Sequence, residues 1–261
     1  MHSWRHFSSV TSPCGSADEG VGAPARTKGK GKSSYRPAHW LNMPRITAVI
    51  PARNEAARIV DTLNAVRRHV DEIIVVDDAS TDRTAELARA AGARVFQHDT
   101  NRGYIEAIKC GFREASGDIV VTLDADGEFF PEDIPRLLGP IVDGQADMVQ
   151  GHRDHIPRPS ERFLTWLARR KADVGDSGTG LRALRTSLAQ SLDLKGACIC
   201  GVFALEVLSK SARIAEISIS LRPTEKPRKI AWFHLRQVFF ILPWLLKWRA
   251  PGLAGATRPR K

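Results

Sequence analysis

A chain of 261 residues with 43% hydrophobic residues has room for one α/β domain of ordinary size, a substantial core and tails. The net charge of +10 sits at the ends: residues 1–45 carry +5 and 222–261 carry +9, which leaves 46–221 at −4. A nucleic-acid partner would need a basic face on that middle part, so it ranks last among partners. No stretch reaches the roughly 18 uninterrupted apolar residues of a membrane-spanning helix.

Residues 1–44 are rich in Ser, Gly, Pro, Lys and Arg without periodicity and are expected to form a disordered basic arm. The first residues lack the apolar core of a signal peptide. Within the arm, "GKGKSS" (29–34) hints at a phosphate loop. Arg26 stands where that pattern needs Gly, and no strand precedes it. Met43, just before the first strand, leaves open whether residues 1–42 belong to the natural product. The cysteines, Cys14, Cys110, Cys198 and Cys200, make neither a disulfide framework nor a CxxC metal pair. They point to a reducing cytoplasm, with Cys198 and Cys200 as small buried residues.

From residue 46 strands and helices alternate. "ITAVIPA" (46–52), "EIIVVDD" (72–78), "ARVFQH" (93–98), "DIVVTLD" (118–124) and "ADMVQGHR" (146–153) read as strands. Between them, "EAARIVDTLNAVRRHV", "STDRTAELARAAG", "GYIEAIKCGFREASG" and "PEDIPRLLGPIVDG" read as helices. Apolar strands joined by helices predict a mostly parallel sheet covered on both faces. Beyond 154, "ERFLTWLARRKADV" and "GVFALEVLSKSA" look helical, "GDSGTGLRAL" is a Gly-rich loop leading into apolar residues, and "RIAEISISL" is a strand. "RPTEKPRK" is a cationic loop, and "IAWFHLRQVFFILPWLLKW" (230–248) is an aromatic helical segment. The expected boundaries are an arm (1–44), a folded α/β domain (45–229), and an amphipathic helix with a basic tail (230–261).

In parallel α/β sheets, ligands bind beyond the carboxyl ends of the strands. "PARNEA", "DDASTD" and "DADGE" all fall there, and no GxGxxG follows the first strand. Asp124, Asp126 and Glu128, at the end of a buried strand beside Asp77 and Asp78, repel one another unless a cation is present. Oxygen-only ligands select Mg²⁺ or Mn²⁺. The bland alternative is a solvated acidic loop. His152 and His155 lack metal-ligand partners in the pattern and read as surface residues.

"VIPARNEA", "EIIVVDDASTDRT", "NRGYIEAIKCGFREASGD", "LDADGEFFPEDI" and "DSGTGLRAL" occur in order. Together they resemble family 2 glycosyltransferases of the GT-A fold, in the branch of dolichyl- and polyprenyl-phosphate sugar transferases. The resemblance spans about residues 45–230. It implies an inverting transfer of a hexose from a nucleotide-sugar of the GDP-mannose or UDP-glucose type. By the same resemblance, Pro51, Arg53, Glu55 and Asp77 or Asp78 line the nucleotide pocket. Arg53 stands where the family usually has Tyr, so a guanidinium replaces a ring as the stacking surface. Asp124, Ala125 and Asp126 form the DxD-type triplet, with Asp126 on the metal and Asp124 nearer the sugar or ribose. Glu128, often Gln in this branch, adds a charge to the metal site. Ile105 and Glu106 depart from the usual small residues. Arg153 matches a Gly-x-Arg that binds the donor.

A phosphate acceptor needs cations rather than a base, and Arg222, Arg228 and Lys229 supply them unless that loop is merely solvated. A hydroxyl acceptor needs a general base, for which Asp176 is the candidate. Glu206 matches an acid of the family and is placed near Arg182. The aromatic segment is either a core helix or an interfacial one, with Trp232, Trp244 and Trp248 at headgroup level. The resemblance implies a cytoplasmic protein, peripheral at the inner membrane face, that meets a lipid-phosphate acceptor. The competing readings are a transferase to a glycan or small-molecule hydroxyl, and a non-catalytic nucleotide-sugar-binding protein at the membrane.

Overall fold

The structure, a computed structural model, describes residues 14, 44–156, 158–196, 198–223 and 233–247. The arm, Arg228 and Lys229, Trp232 and Trp248 therefore lie outside the described residues, apart from Cys14 and Pro44.

Seven strands make one sheet: β1 (Ile46–Ala52), β2 (Glu72–Asp77), β3 (Arg94–Gln97), β4 (Ile119–Thr122), β5 (Met148–Arg153), β6 (Arg182–Arg185) and β7 (Ile214–Ile219). Their order is β3-β2-β1-β4-β6-β5-β7. β1 lies near the centre and is buried along its whole length. Its residues alternate between two cores, as the pleat requires. Ala48 and Ile50 face one core together with Val75, Val121 and Val149. Val49 faces the other with Ile74, Val76, Val120 and Met148.

Helices α1 (Ile59–Val66) and α4 (Ile134–Val142) cover the first face, through Leu63, Val66, Leu137 and Ile141. Helices α3 (Tyr104–Glu114) and α7 (Val202–Ser209) cover the second, through Ile108, Phe112, Phe203 and Val207. Between them in sequence lie α2 (Thr84–Ala90), α5 (Pro159–Ala168) and α6 (Thr186–Ser191). The last helix, α8 (Phe233–Lys247), packs with α5 and α7 in a third cluster that includes Leu164, Leu205 and Ile241. The expected mostly parallel sheet with helices on both faces is what the chain forms. Among the described residues, no helix is long and apolar enough to cross a membrane.

Three expectations need correction. The apolar residues after the Gly-rich loop belong to a strand, β6, whose sequence is "RALR". It runs antiparallel to both β4 and β5, and its short, Gly-led sequence hid it. Helix α1 starts at Ile59 rather than at Glu55: the residues before it form a turn, in which the Arg58 and Ile59 N–H groups share the Glu55 carbonyl. Cys14 and Cys110 form a disulfide, 96 residues apart in sequence. The cysteine pattern gave no hint of it, because the fold of α3 sets that juxtaposition.

Helix α3 presses closely on β1. A Cβ at Gly111 would lie 2.2 Å from Val49 Cγ1, and both groups are in the core. Gly111→Ala is expected to destabilise the fold by about 1–3 kcal/mol through overpacking. Urea unfolding should show a lower midpoint at an unchanged slope.

Candidate active site

The loops after β1 and β2 are tied together at the carboxyl edge of the sheet. Asn54 takes a positive φ of 56°. Its N–H donates to Ser80 Oγ, and its Oδ1 accepts the N–H of Thr81. Glu55 N–H reaches Thr84 Oγ1 at 2.8 Å, and Ala56 N–H reaches Asp82 at 3.1 Å. Pro51, Ala52, Arg53, Glu55 and Asp78 thereby form one wall of a cleft of about 680 Å³. Asp78 accepts the N–H groups of Arg102 and Gly103 and meets His98 Nδ1 at 2.8 Å, so it also shapes the loop that leads into α3.

Asp124, Ala125 and Asp126 form the floor of this cleft. Beyond them, Gly127 turns at a φ of +73° and Glu128 N–H donates to Asp126 Oδ1. Burial, with the neighbouring Asp126, pushes the Asp124 carboxyl up to about 6. The Tyr104 hydroxyl and the Arg182 guanidinium pull the other way. Arg182 is fully buried on β6 over the Phe203 ring, 4.6 Å from its centroid, and its β-partner is Thr122. Gly180 leaves the space this needs: a Cβ there would sit 2.5 Å from Asp124 Oδ2. Two carboxylates side by side on the floor of a cleft offer the oxygen donors that a hard divalent cation takes.

Across the cleft a second charge system holds the turn before β6. Arg153 grips Asp176 through Nε at 2.5 Å and Nη2 at 2.9 Å, and bonds Glu161 at 3.0 Å. Gly178 N–H donates to the same Asp176 carboxylate. These contacts hold Asp176 below the usual carboxylate range despite its burial, and they raise the pKa of Arg153 further. Glu216, on the "EISI" strand, accepts the N–H groups of Gly175 and Asp176.

Several expected residues are therefore placed elsewhere. Asp176 is fully buried with both oxygens bonded and does not line the cleft, so its geometry is that of a structural anchor rather than a base. Arg153 is committed to Asp176 and Glu161. Asp77 is buried and accepts from Ser80 and Gln97, which leaves Asp78 to face the cleft. Glu128 is not among the cleft-lining residues. Arg222 lies over the Phe130 ring, 4.7 Å from its centroid, in a neighbouring groove of about 580 Å³, and its N–H donates to the Glu128 carbonyl. Glu206 accepts the N–H of Asp193 rather than meeting Arg182.

The cleft also gathers residues with no local signal in the sequence. Tyr104, Arg158, Glu161, Cys198, Cys200 and His234 all line it. They come from α3, from both sides of the α5 start, from the loop before α7 and from α8. The Cys200 thiol is held well above its ordinary pKa by its bond with the Cys198 thiol and by burial.

A sheet with this order, a carboxylate pair at the end of β4 and a cleft beyond the strand ends define a GT-A-like glycosyltransferase fold. The family described as Glycosyl transferase family 2 matches residues 47–208, and the chain belongs to that family.

Among curated relatives, the low-salt glycan biosynthesis hexosyltransferase of Haloferax volcanii is 28% identical over 236 residues, 80% of this chain and 56% of its own. The dolichol-phosphate mannosyltransferase of Pyrococcus furiosus is 27% identical, over 81% of this chain and 69% of its own. The undecaprenyl-phosphate 4-deoxy-4-formamido-L-arabinose transferase of Pseudomonas paraeruginosa is 36% identical, over 56% of this chain and 49% of its own. The chain thus spans about half to two-thirds of the length of these relatives. Among solved structures, glucosyl-3-phosphoglycerate synthase from Mycobacterium tuberculosis with phosphoglyceric acid matches at a TM-score of 0.65. It is 25% identical, and the match covers 77% of this chain and 80% of that one. A complex of the same enzyme with Mn²⁺ and UDP-glucose matches at 0.63 and 26% identity, over 77% of this chain and 78% of that one.

The raised pKa of Asp124 makes a prediction with a definite sign. Ionising this carboxyl opposes folding. That cost is absent below its ordinary pKa of 3.8 and complete above about 6. Asp124→Asn is expected to stabilise the metal-free protein at pH 7.5 by on the order of 1–3 kcal/mol, with little effect at pH 4. Thermal melts at the two pH values measure this; equal shifts at both would contradict it.

Proposed function

We propose that this chain catalyses a divalent-metal-dependent, inverting transfer of a hexose from a nucleotide-sugar to a polyprenyl phosphate at a membrane surface. One observation carries this reading: two helices begin at the rim of the carboxylate-floored cleft and carry exposed apolar faces away from it. Arg158 and Glu161 at the start of α5 and His234 at the start of α8 line the cleft. Farther along, α5 exposes the stacked pair Phe163 and Trp166, with Arg170 over the Trp ring. Helix α8 exposes Leu235, Phe239, Leu242 and Leu246. Helices α5 and α8 pack on each other, so these groups belong to neighbouring elements. An apolar, aromatic surface of this kind suits the headgroup boundary of a bilayer.

In this reading Pro51, Arg53, Glu55 and Asp78 hold the nucleoside, with the exposed Arg53 guanidinium against the base. Asp126, with Asp124 beside it, would hold Mg²⁺ or Mn²⁺, which when bound stabilises charge on the departing diphosphate. An oxygen of the acceptor phosphate attacks the anomeric carbon. The bond to the nucleoside diphosphate breaks, its electron pair leaves with the diphosphate, and the configuration inverts. A phosphate monoester has a second pKa near 6 and is largely dianionic at pH 7, so this step requires no general base. The burial of Asp176 in its pair with Arg153 agrees with that. Arg158 within the cleft and Arg222 in the adjoining groove supply positive charge for the acceptor; Arg228 and Lys229 are proposed to extend it.

A second reading keeps the donor half and replaces the lipid with a small phosphorylated compound. The solved complex with phosphoglyceric acid favours it. Both readings predict that wild-type protein with Mn²⁺ consumes a UDP- or GDP-hexose, and that Asp126→Ala lowers kcat/KM by at least about 100-fold. An acceptor panel separates them: polyprenyl phosphate in vesicles against soluble phosphorylated hydroxy acids. Donor binding without turnover on any acceptor would leave a nucleotide-sugar-binding protein.

The membrane half has its own test. The triple variant Leu235→Ser, Phe239→Ser, Leu246→Ser is expected to lose co-sedimentation with anionic vesicles by about tenfold or more while still binding donor. Unchanged sedimentation would sink the docking surface.

A further inference from the structure

We infer that Cys198, Cys200 and His234 form a binding site for a soft divalent metal of the zinc class, separate from the Asp124–Asp126 floor of the cleft. Among the described residues, these three are the one group of His, Cys and carboxylate side chains whose ligand atoms all lie within 4.8 Å of one another. Cys200 Sγ and His234 Nε2 are 4.0 Å apart. Tetrahedral zinc, with bonds of about 2.3 Å to sulfur and about 2.0–2.1 Å to nitrogen, holds its ligand atoms roughly 3.5–3.8 Å apart. A shift of a few tenths of an ångström closes that pair on an ion.

The surroundings fit ligands more than packing. The other ring nitrogen of His234, Nδ1, lies 2.7 Å from Ser160 Oγ. With that hydroxyl accepting, Nδ1 carries the proton and Nε2 turns its lone pair toward the sulfurs, as a second-shell partner does for a metal-bound imidazole. Gln237, one turn along α8 and fully buried, clamps the cysteine turn at both ends. Its Oε1 accepts Cys198 N–H at 3.1 Å, and its Nε2 donates to the Cys200 carbonyl at 3.0 Å. Gly196 gives room for that amide, since a Cβ there would lie 2.7 Å from Gln237 Oε1. The Cys-x-Cys turn and the histidine are therefore held in mutual register by one helix before any ion arrives.

The donor set decides the metal. Two sulfurs and an imidazole favour Zn²⁺ over the Mg²⁺ or Mn²⁺ that suit Asp124 and Asp126. Three protein ligands leave a fourth position, and all three residues line the cleft, so that position is open to water or to an anionic oxygen of a bound molecule. The ion would fasten the first turn of α8 to the loop before α7.

The test uses the full chain, reduced and stripped of metal, titrated with Zn²⁺ against a chromophoric chelator and separately with Co²⁺. One equivalent of Zn²⁺ should bind with sub-micromolar affinity, and Co²⁺ should give a thiolate-to-metal absorption band. Cys198→Ser and His234→Ala should each weaken Zn²⁺ by more than about 100-fold and remove or shift that band. Ser160→Ala, which removes the hydroxyl bonded to the imidazole, should cost about 10–100-fold. Asp126→Ala and Cys14→Ser should leave Zn²⁺ affinity unchanged. Zinc should also raise the melting midpoint of wild type and not of Cys198→Ser, a half-buried and mild change. Binding weaker than micromolar in wild type, a Co²⁺ spectrum without a thiolate band, or equal affinity in Cys198→Ser would each overturn the assignment.

Discussion

Negative charge at the buried carboxyl edge of the sheet has to be offset, and Arg182 does part of that. A guanidinium with no solvent access is itself costly, and burial lowers its pKa. It is kept by the fields of Tyr104, Asp176 and Asp124 and by the face of Phe203. The reversed strand β6 is what brings this cation to the end of β4, where Thr122 and Arg182 are register partners. Had β6 run parallel, its first residue would sit at the opposite edge. One strand direction thus determines whether the carboxylates can stand where a ligand meets them.

The same edge holds a second buried ion system, and the two do different work. The Arg153–Asp176–Glu161 group is closed: each charge is spent on protein partners, and the turn at 175–178 is fixed. The Asp124–Asp126 pair lines the cleft instead, and burial together with the charge of Asp126 raises the pKa of Asp124. Asp176, turned away from the cleft, makes scaffold, and the carboxylates that floor it make a site. That contrast, rather than the presence of acidic residues, separates Asp126 from Asp176.

Much of this was legible in the sequence where the signal was local. The apolar runs of β1, β2 and β4, and the polar clusters that follow them, place the donor wall and the floor of the cleft on one edge. What was hidden depended on contacts between distant segments. Asp176 looks like a candidate base until Arg153, 23 residues away, is seen to hold it. Asp77 and Asp78 are neighbours in sequence, yet strand alternation sends only the second to the cleft. Arg158, Cys200 and His234 meet across three separate elements, and no spacing rule joins them. Cys14 finds Cys110 only through the packing of α3.

The cross-links from Asn54, Glu55 and Ala56 to Ser80, Thr84 and Asp82 carry a mechanical consequence. They rivet two crossover loops into one rigid jaw, anchored on the adjacent parallel strands β1 and β2. A jaw built that way cannot swing without breaking ladder hydrogen bonds. The rest of the cleft lining, from the α5 start, the cysteine turn and the α8 start, is not part of that cross-linked unit. Those elements are also where the helices with exposed apolar faces begin, so the cleft is half rigid loop and half helix end.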